Sequence, residues 1–147
     1  MHNWHYHRRL MRQSLQGGTA QKVIPAGVWF NISSDGKLLA TVAIDAGAPL
    51  QIISLDSMRV IRSFPPRNFD DFELFAFSAD SKSVFYVTRI GADETIWRQP
   101  LDADAPVKVA SLPGKVVNWI RPSPDGTKLG LILEAPTSEA VLLRDIR

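Results

Sequence analysis

A short polar motif recurs in this chain at a fixed interval, and that interval restricts the fold more than any other feature. Ser33-Ser34-Asp35-Gly36-Lys37, Ser78-Ala79-Asp80-Ser81-Lys82 and Ser123-Pro124-Asp125-Gly126-Thr127-Lys128 place their aspartates 45 residues apart both times. Repetition with a period of about 40–45 residues marks stacked four-stranded units. Each motif lies between two short apolar runs: residues 28–32, 74–77 and 117–120 precede it, and residues 38–44, 84–88 and 129–133 follow it. The runs are rich in β-branched and aromatic residues and too short for helices, which predicts strands joined by tight turns. Gly36 and Gly126 supply the positive φ of such a turn, and the aspartate side chain hydrogen-bonds its backbone. Ser81 stands where the other copies have glycine, so the middle turn is expected to be strained or of another type.

A second set of matches runs in step with the first. Met11-Arg12-Gln13-Ser14-Leu15 aligns with Trp97-Arg98-Gln99-Pro100-Leu101, and Lys22-Val23 with Lys108-Val109, at one offset of 86 residues. Ile52-Ile53-Ser54-Leu55-Asp56 is the corresponding stretch of the intervening copy. Each is read as a third strand, followed by a polar turn and a fourth strand at residues 21–24, 59–64 and 107–111. The reading is therefore all-β: antiparallel four-stranded β-propeller blades, about three blade-equivalents in all. Residues 10–24 form a half blade, 28–64 and 72–112 full blades, and 116–147 a three-stranded final blade. Residues 1–9 are read as an unstructured or weakly ordered leader.

At these residues the chain resembles the propeller repeats of the TolB type, relatives of WD repeats that lack the Trp-Asp signature. The family pattern is an apolar strand, Ser-Pro-Asp-Gly-Lys, a second apolar strand, and a third of the Ile-Trp-x-x-Leu-Asp kind. Ser123-Pro124-Asp125-Gly126 and Ile96-Trp97-Arg98-Gln99-Pro100-Leu101-Asp102 match it, while Ser34 and Ala79 replace its proline. The resemblance covers about residues 11–147 and implies a fold, which by itself names no activity. Related repeats occur in periplasmic Tol-complex proteins and in the propellers of prolyl-oligopeptidase-like enzymes. They also occur as sensory tails of bacterial kinases and winged-helix regulators, which Val141-Leu142-Leu143-Arg144-Asp145-Ile146-Arg147 resembles in style.

A closed propeller has at least about four blades. An open arc leaves two apolar faces in water, at roughly 1.5–3 kcal/mol for each core-sized side chain. Such a sum rivals a domain's net stability of roughly 5–15 kcal/mol. The expectation is an incomplete propeller, the C-terminal part of a larger bacterial protein; the alternative is self-association that closes the ring.

Bulk properties narrow the role. A net charge of +2 argues against a nucleic-acid partner, and the absence of cysteine excludes disulfides, thiolate metal sites and a cysteine nucleophile. No apolar run reaches the ~18 residues of a bilayer span, and the N-terminus has no signal-type apolar region. The expectation is no membrane insertion and a cytoplasmic location as written, or a periplasmic one within a longer parent.

Several residues invite a chemical reading, and each has a plainer one. His2, His5 and His7 are imidazoles without a suitable ligand spacing. Arg8, Arg9 and Arg12 interleave with Trp4, Tyr6 and Leu10, a pattern that suits single-stranded nucleic acid, but a solvated segment explains it better. Asp35, Asp80 and Asp125 recur at identical blade positions, as turn residues do and single-use catalytic residues do not. Asp70, Asp71 and Glu73 form an acidic cluster read as a solvated loop rather than a cation site. Trp29, Trp97 and Trp119 are read as inter-blade packing, with Leu74 occupying the Trp29 and Trp119 position in the middle copy. No nucleophile elbow, phosphate loop or dinucleotide fingerprint is present. The expectation is a non-enzyme with no catalytic residues, cofactor or metal, whose partner is a protein, a peptide or a second copy. The rival reading is the propeller portion of a prolyl-oligopeptidase-like hydrolase.

Overall fold

The computed structural model describes residues 10–24, 28–43, 47–65, 74–134 and 139–144, and among them there are strands and turns but no helix. The first hairpin is a two-stranded sheet, β1 (Leu10–Arg12) with β2 (Gln21–Ile24). Next comes a four-stranded sheet of β3 (Val28–Ile32), β4 (Leu38–Ala43), β5 (Leu50–Ser54) and β6 (Arg59–Phe64), paired in chain order. A second four-stranded sheet follows with β7 (Phe75–Phe77), β8 (Ser83–Ile90), β9 (Asp93–Pro100) and β10 (Val107–Pro113). The last sheet has three strands, β11 (Val116–Pro122), β12 (Lys128–Glu134) and β13 (Glu139–Arg144). Every pairing is antiparallel between chain neighbours, as short connections favour.

The first strands of the sheets stand side by side, with β7 in contact with both β3 and β11. The sheets are therefore successive blades, and β3, β7 and β11 are the inner strands. Successive side chains along a strand point to opposite faces, so the 45-residue period assigns each apolar residue to one blade face or the other. Trp29, Ala40 and Val42 on the first full blade pack against Phe75, Phe77, Val84 and Tyr86 on the next. Leu74, Phe85 and Val87 on the opposite face of that blade pack against Ile120, Leu129 and Leu131 of the last. A smaller cluster joins Leu10 and Val23 of the first hairpin to Leu39, Ile53 and Leu55. Apolar area removed from water between blades holds the arc together, at ~25 cal/mol per Å².

Polar links reinforce the stacking. Asn31 Oδ1 accepts a hydrogen bond from the Phe77 backbone N–H at 3.2 Å, tying β3 to β7. Glu94, 1% exposed, joins the second blade to the last. Its Oε1 accepts from Arg89 Nε at 2.8 Å and its Oε2 from the Val117 backbone N–H at 2.6 Å. Arg12 has the structural place that its match with Arg98 suggests: its Nη1 donates to the Leu55 carbonyl at 2.7 Å.

The turn at Ser81 carries strain rather than a change of type. Gly36 and Gly126 both sit at φ 71°, and Ser81 adopts φ 60° at the same position. A side chain in the left-handed region costs roughly 1–2 kcal/mol.

Candidate interaction surface

Each inner strand ends in one of the recurring aspartate turns. Ser33 Oγ and Ser78 Oγ donate to Asp35 Oδ1 and Asp80 Oδ1 at 2.6 Å, and Ser123 Oγ donates to Asp125 Oδ1 at 2.5 Å. The same carboxylate oxygens accept the backbone N–H of Lys37, Lys82 and Thr127 at 3.1, 3.0 and 3.0 Å. The serine oxygens in turn accept the backbone N–H of Leu38, Ser83 and Lys128 at 2.9 Å. Hydrogen bonds to the charged form favour it. The donating serine hydroxyl, then the backbone N–H, hold the Asp35 and Asp80 carboxyls below the usual carboxylate value. The same donors to Asp125 bring its pKa down to about 2. The three carboxylates are thus engaged in closing turns. The turns also touch one another: the Asp35 N–H points to Ser81 Oγ at 3.4 Å, and a side chain at Gly126 would meet Ala79 Cβ at 3.7 Å.

Behind this rim the inner strands enclose an open groove of about 680 Å³. Asn31 and Ser34 line it from the first full blade, Phe77 from the second, and Trp119, Arg121 and Lys128 from the last. Its lining contains two cationic side chains and no carboxylate. Arg121 lies over the Trp119 ring, its guanidinium carbon 5.9 Å from the ring centre, an arrangement that keeps an aromatic face and a charge together at the surface. A smaller cleft of about 410 Å³ opens between the second and last blades, beside Asp80, Arg98 and Asp125.

The structure separates the three tryptophans. Trp29 and Trp97 are partly buried against the core between the two full blades, and Trp97 Nε1 donates to Thr88 Oγ1 at 2.9 Å. Trp119 departs from the packing expectation: it is 43% exposed, because no blade lies against the outer face of the last sheet among the described residues. The groove brings together Trp119, Arg121 and Asn31, which sequence reasoning did not group. The repeat offers a signal, since Asn31 and Arg121 occupy equivalent positions 90 residues apart, at 31 and 121. His2, His5, His7, Arg8, Arg9, Trp4, Tyr6, Asp70, Asp71 and Glu73 lie outside the described residues. Among the described residues, no three carboxylate or imidazole side chains are grouped to hold a metal ion.

No protein-family model and no curated protein sequence matches the chain. Solved structures do match it in fold. TolB from Acinetobacter baumannii aligns with 92% of the chain at a TM-score of 0.70 and 17% identity. Hydrazine synthase from Kuenenia stuttgartiensis aligns with 93% at a TM-score of 0.69 and 14% identity. A prolyl endopeptidase aligns with 97% at a TM-score of 0.66 and 15% identity. The aligned chain spans only 35%, 40% and 25% of those proteins' lengths. The fold is that of TolB-type β-propeller blades, and this chain is an incomplete arc of them.

Proposed function

We propose that this chain is a non-catalytic propeller module that binds a protein or peptide segment in its inner groove, as the interaction or sensory part of a larger bacterial protein. The observation that carries the reading is the groove's composition. An aromatic face, hydrogen-bonding Asn31 and Ser34 and the cations Arg121 and Lys128 line one open cavity, while the neighbouring aspartates are committed to turns. Such a surface suits an extended segment with an apolar anchor and an acidic neighbour, since aromatic and Arg groups dominate recognition energetics. A phage-displayed random peptide library selected against the purified chain tests it. The expected result is a consensus with an apolar residue near a carboxylate, whose binding falls at least tenfold in an Arg121→Glu/Lys128→Glu variant. Failure to select any peptide, or binding indifferent to that variant, refutes the reading.

A second reading makes the chain the propeller portion of a peptidase. It is favoured by the matches to a prolyl endopeptidase and, at 88% of this chain and a TM-score of 0.59, to an acylaminoacyl peptidase of Pyrococcus horikoshii. A propeller that only screens substrates yields no peptide consensus, so the same selection separates the two.

A further inference from the structure

We propose that Asn31 sets what the inner groove accepts: its amide nitrogen donates to a carbonyl or carboxylate oxygen of the bound segment, across the groove from Arg121 and Lys128. This assignment rests on the reading of the groove as a peptide site and names the residue that selects for an acceptor there. Asn31 lies on β3 between Phe30 and Ile32, and alternation along the strand turns it to the face opposite theirs, toward the next blade. There its Oδ1 accepts the Phe77 backbone N–H at 3.2 Å. A backbone N–H only donates, so the atom facing it is the oxygen; a flipped amide would set one donor against another. The amide is thereby fixed in one orientation. Its Nδ2 takes part in none of the hydrogen bonds of the described residues, and the half-buried side chain lines the groove.

The repeat separates the two ends of this amide. Residues 31, 76 and 121 are equivalent at the 45-residue period and read Asn, Ala and Arg, and all three line the groove. One period on, the pair Asn31 and Phe77 becomes Ala76 and Pro122, and Pro122 has no N–H to satisfy. The tie to Phe77 therefore accounts for the oxygen of Asn31 and leaves its nitrogen without a structural task. The small Ala76 side chain keeps the space between Asn31 and Arg121 open. An acceptor brought to Asn31 meets a donor already held in place, which lowers the ordering cost of binding. A ligand ammonium there meets a donor instead, in a groove whose lining holds two cations and no carboxylate. The segment selected is thus one that presents a carbonyl or carboxylate oxygen at this point, and a basic one is turned away.

Asn31→Asp in the full chain tests the proposal, because the carboxylate keeps an acceptor for the Phe77 N–H and removes the donor. The probe is the consensus peptide that phage selection recovers on the wild-type chain, labelled with a fluorophore and titrated by anisotropy. Asn31→Asp is expected to bind it roughly tenfold or more weakly, with an unchanged far-UV circular dichroism spectrum and a urea midpoint no lower than wild type. Asn31→Ala brings no charge and is expected to weaken binding by about two- to tenfold, the worth of one hydrogen bond. Its urea midpoint should fall, because Phe77 loses its acceptor. If Asn31→Asp loses its β spectrum, Asn31→Ala decides alone. Binding that falls in Arg121→Glu/Lys128→Glu but matches wild type in Asn31→Asp overturns the role of Asn31 and leaves the groove reading standing. A loss in Asn31→Asp with none in Asn31→Ala is charge repulsion and overturns it too. A wild-type selection without a consensus refutes the groove reading, and the role of Asn31 with it.

Discussion

Glu94→Ala removes a carboxylate that stitches two blades together, and its cost follows from its contacts. Glu94 is 1% exposed, and its two oxygens serve different blades, Oε1 taking Arg89 Nε and Oε2 taking the Val117 N–H. Breaking a buried pair by removing one partner costs about 3–5 kcal/mol. The Arg89 side chain is 30% exposed, so water takes up part of its charge, and about 2 kcal/mol is retained for this pair. Leaving the Val117 N–H without its acceptor adds about 1–2 kcal/mol. The sum, about 3–4 kcal/mol, is a large share of a domain's net stability of about 5–15 kcal/mol. Urea unfolding followed by tryptophan fluorescence reads it. With a slope of about 2 kcal/mol per molar, the midpoint should fall by about 1.5–2 M. Glu94→Gln keeps an acceptor for Val117 but gives up the charge, and should fall about half as far. Asp104→Ala is the control: it breaks the solvent-facing pair with Arg62 at 3.1 Å, where less than about 0.5 kcal/mol is at stake. A Glu94→Ala midpoint no lower than that of Asp104→Ala would refute the assignment of Glu94 as the blade-to-blade link.

Ser81→Gly relieves the left-handed φ of 60° at the loss of a weak contact from the Asp35 N–H. It should raise the melting temperature by roughly 1–3 °C in calorimetry, while Gly126→Ala, at φ 71°, should lower it by roughly 2–4 °C. The depressed carboxyls of Asp35, Asp80 and Asp125 contribute stability that is present above their ordinary value of 3.8 and lost as pH falls through the folded values. Urea midpoints should therefore decline from about pH 5 to about pH 2, with a shallower decline in Asp125→Asn. Ile52→Ala, at a fully buried position between the full blades, should cost about 2–5 kcal/mol by urea titration. Val60→Ala, at a residue 50% exposed, should stay within about 0.5 kcal/mol.

The blades were legible because their information is local and repeated. An aspartate turn between two apolar runs specifies a hairpin, and three copies in step specify how hairpins stack. The strain at Ser81 was legible for the same reason, since its neighbours in the repeat are glycines. Trp119 was not: period-2 alternation assigns it to a blade face, but only the topology shows that no blade among the described residues covers that face. Glu94 reads locally as hairpin polarity. Its signal lay in parity with Ile96, two residues on and fully buried, which turns both side chains inward. The groove depends on residues from three blades, and no local pattern links Asn31 to Lys128.

The stacking register of these blades is the central structural claim, and a disulfide tests it directly because the chain has no cysteine of its own. A side chain at Gly126 on the last blade would lie 3.7 Å from Ala79 Cβ on the second, inside the ~3.5–4.5 Å Cβ separation of a disulfide. In an Ala79→Cys/Gly126→Cys variant at low concentration under mild oxidant, the arc requires an intramolecular bridge that forms in buffer and is suppressed in urea. Thiols that stay free in the native state, or pair only between molecules, would contradict the stacking of one blade on the next.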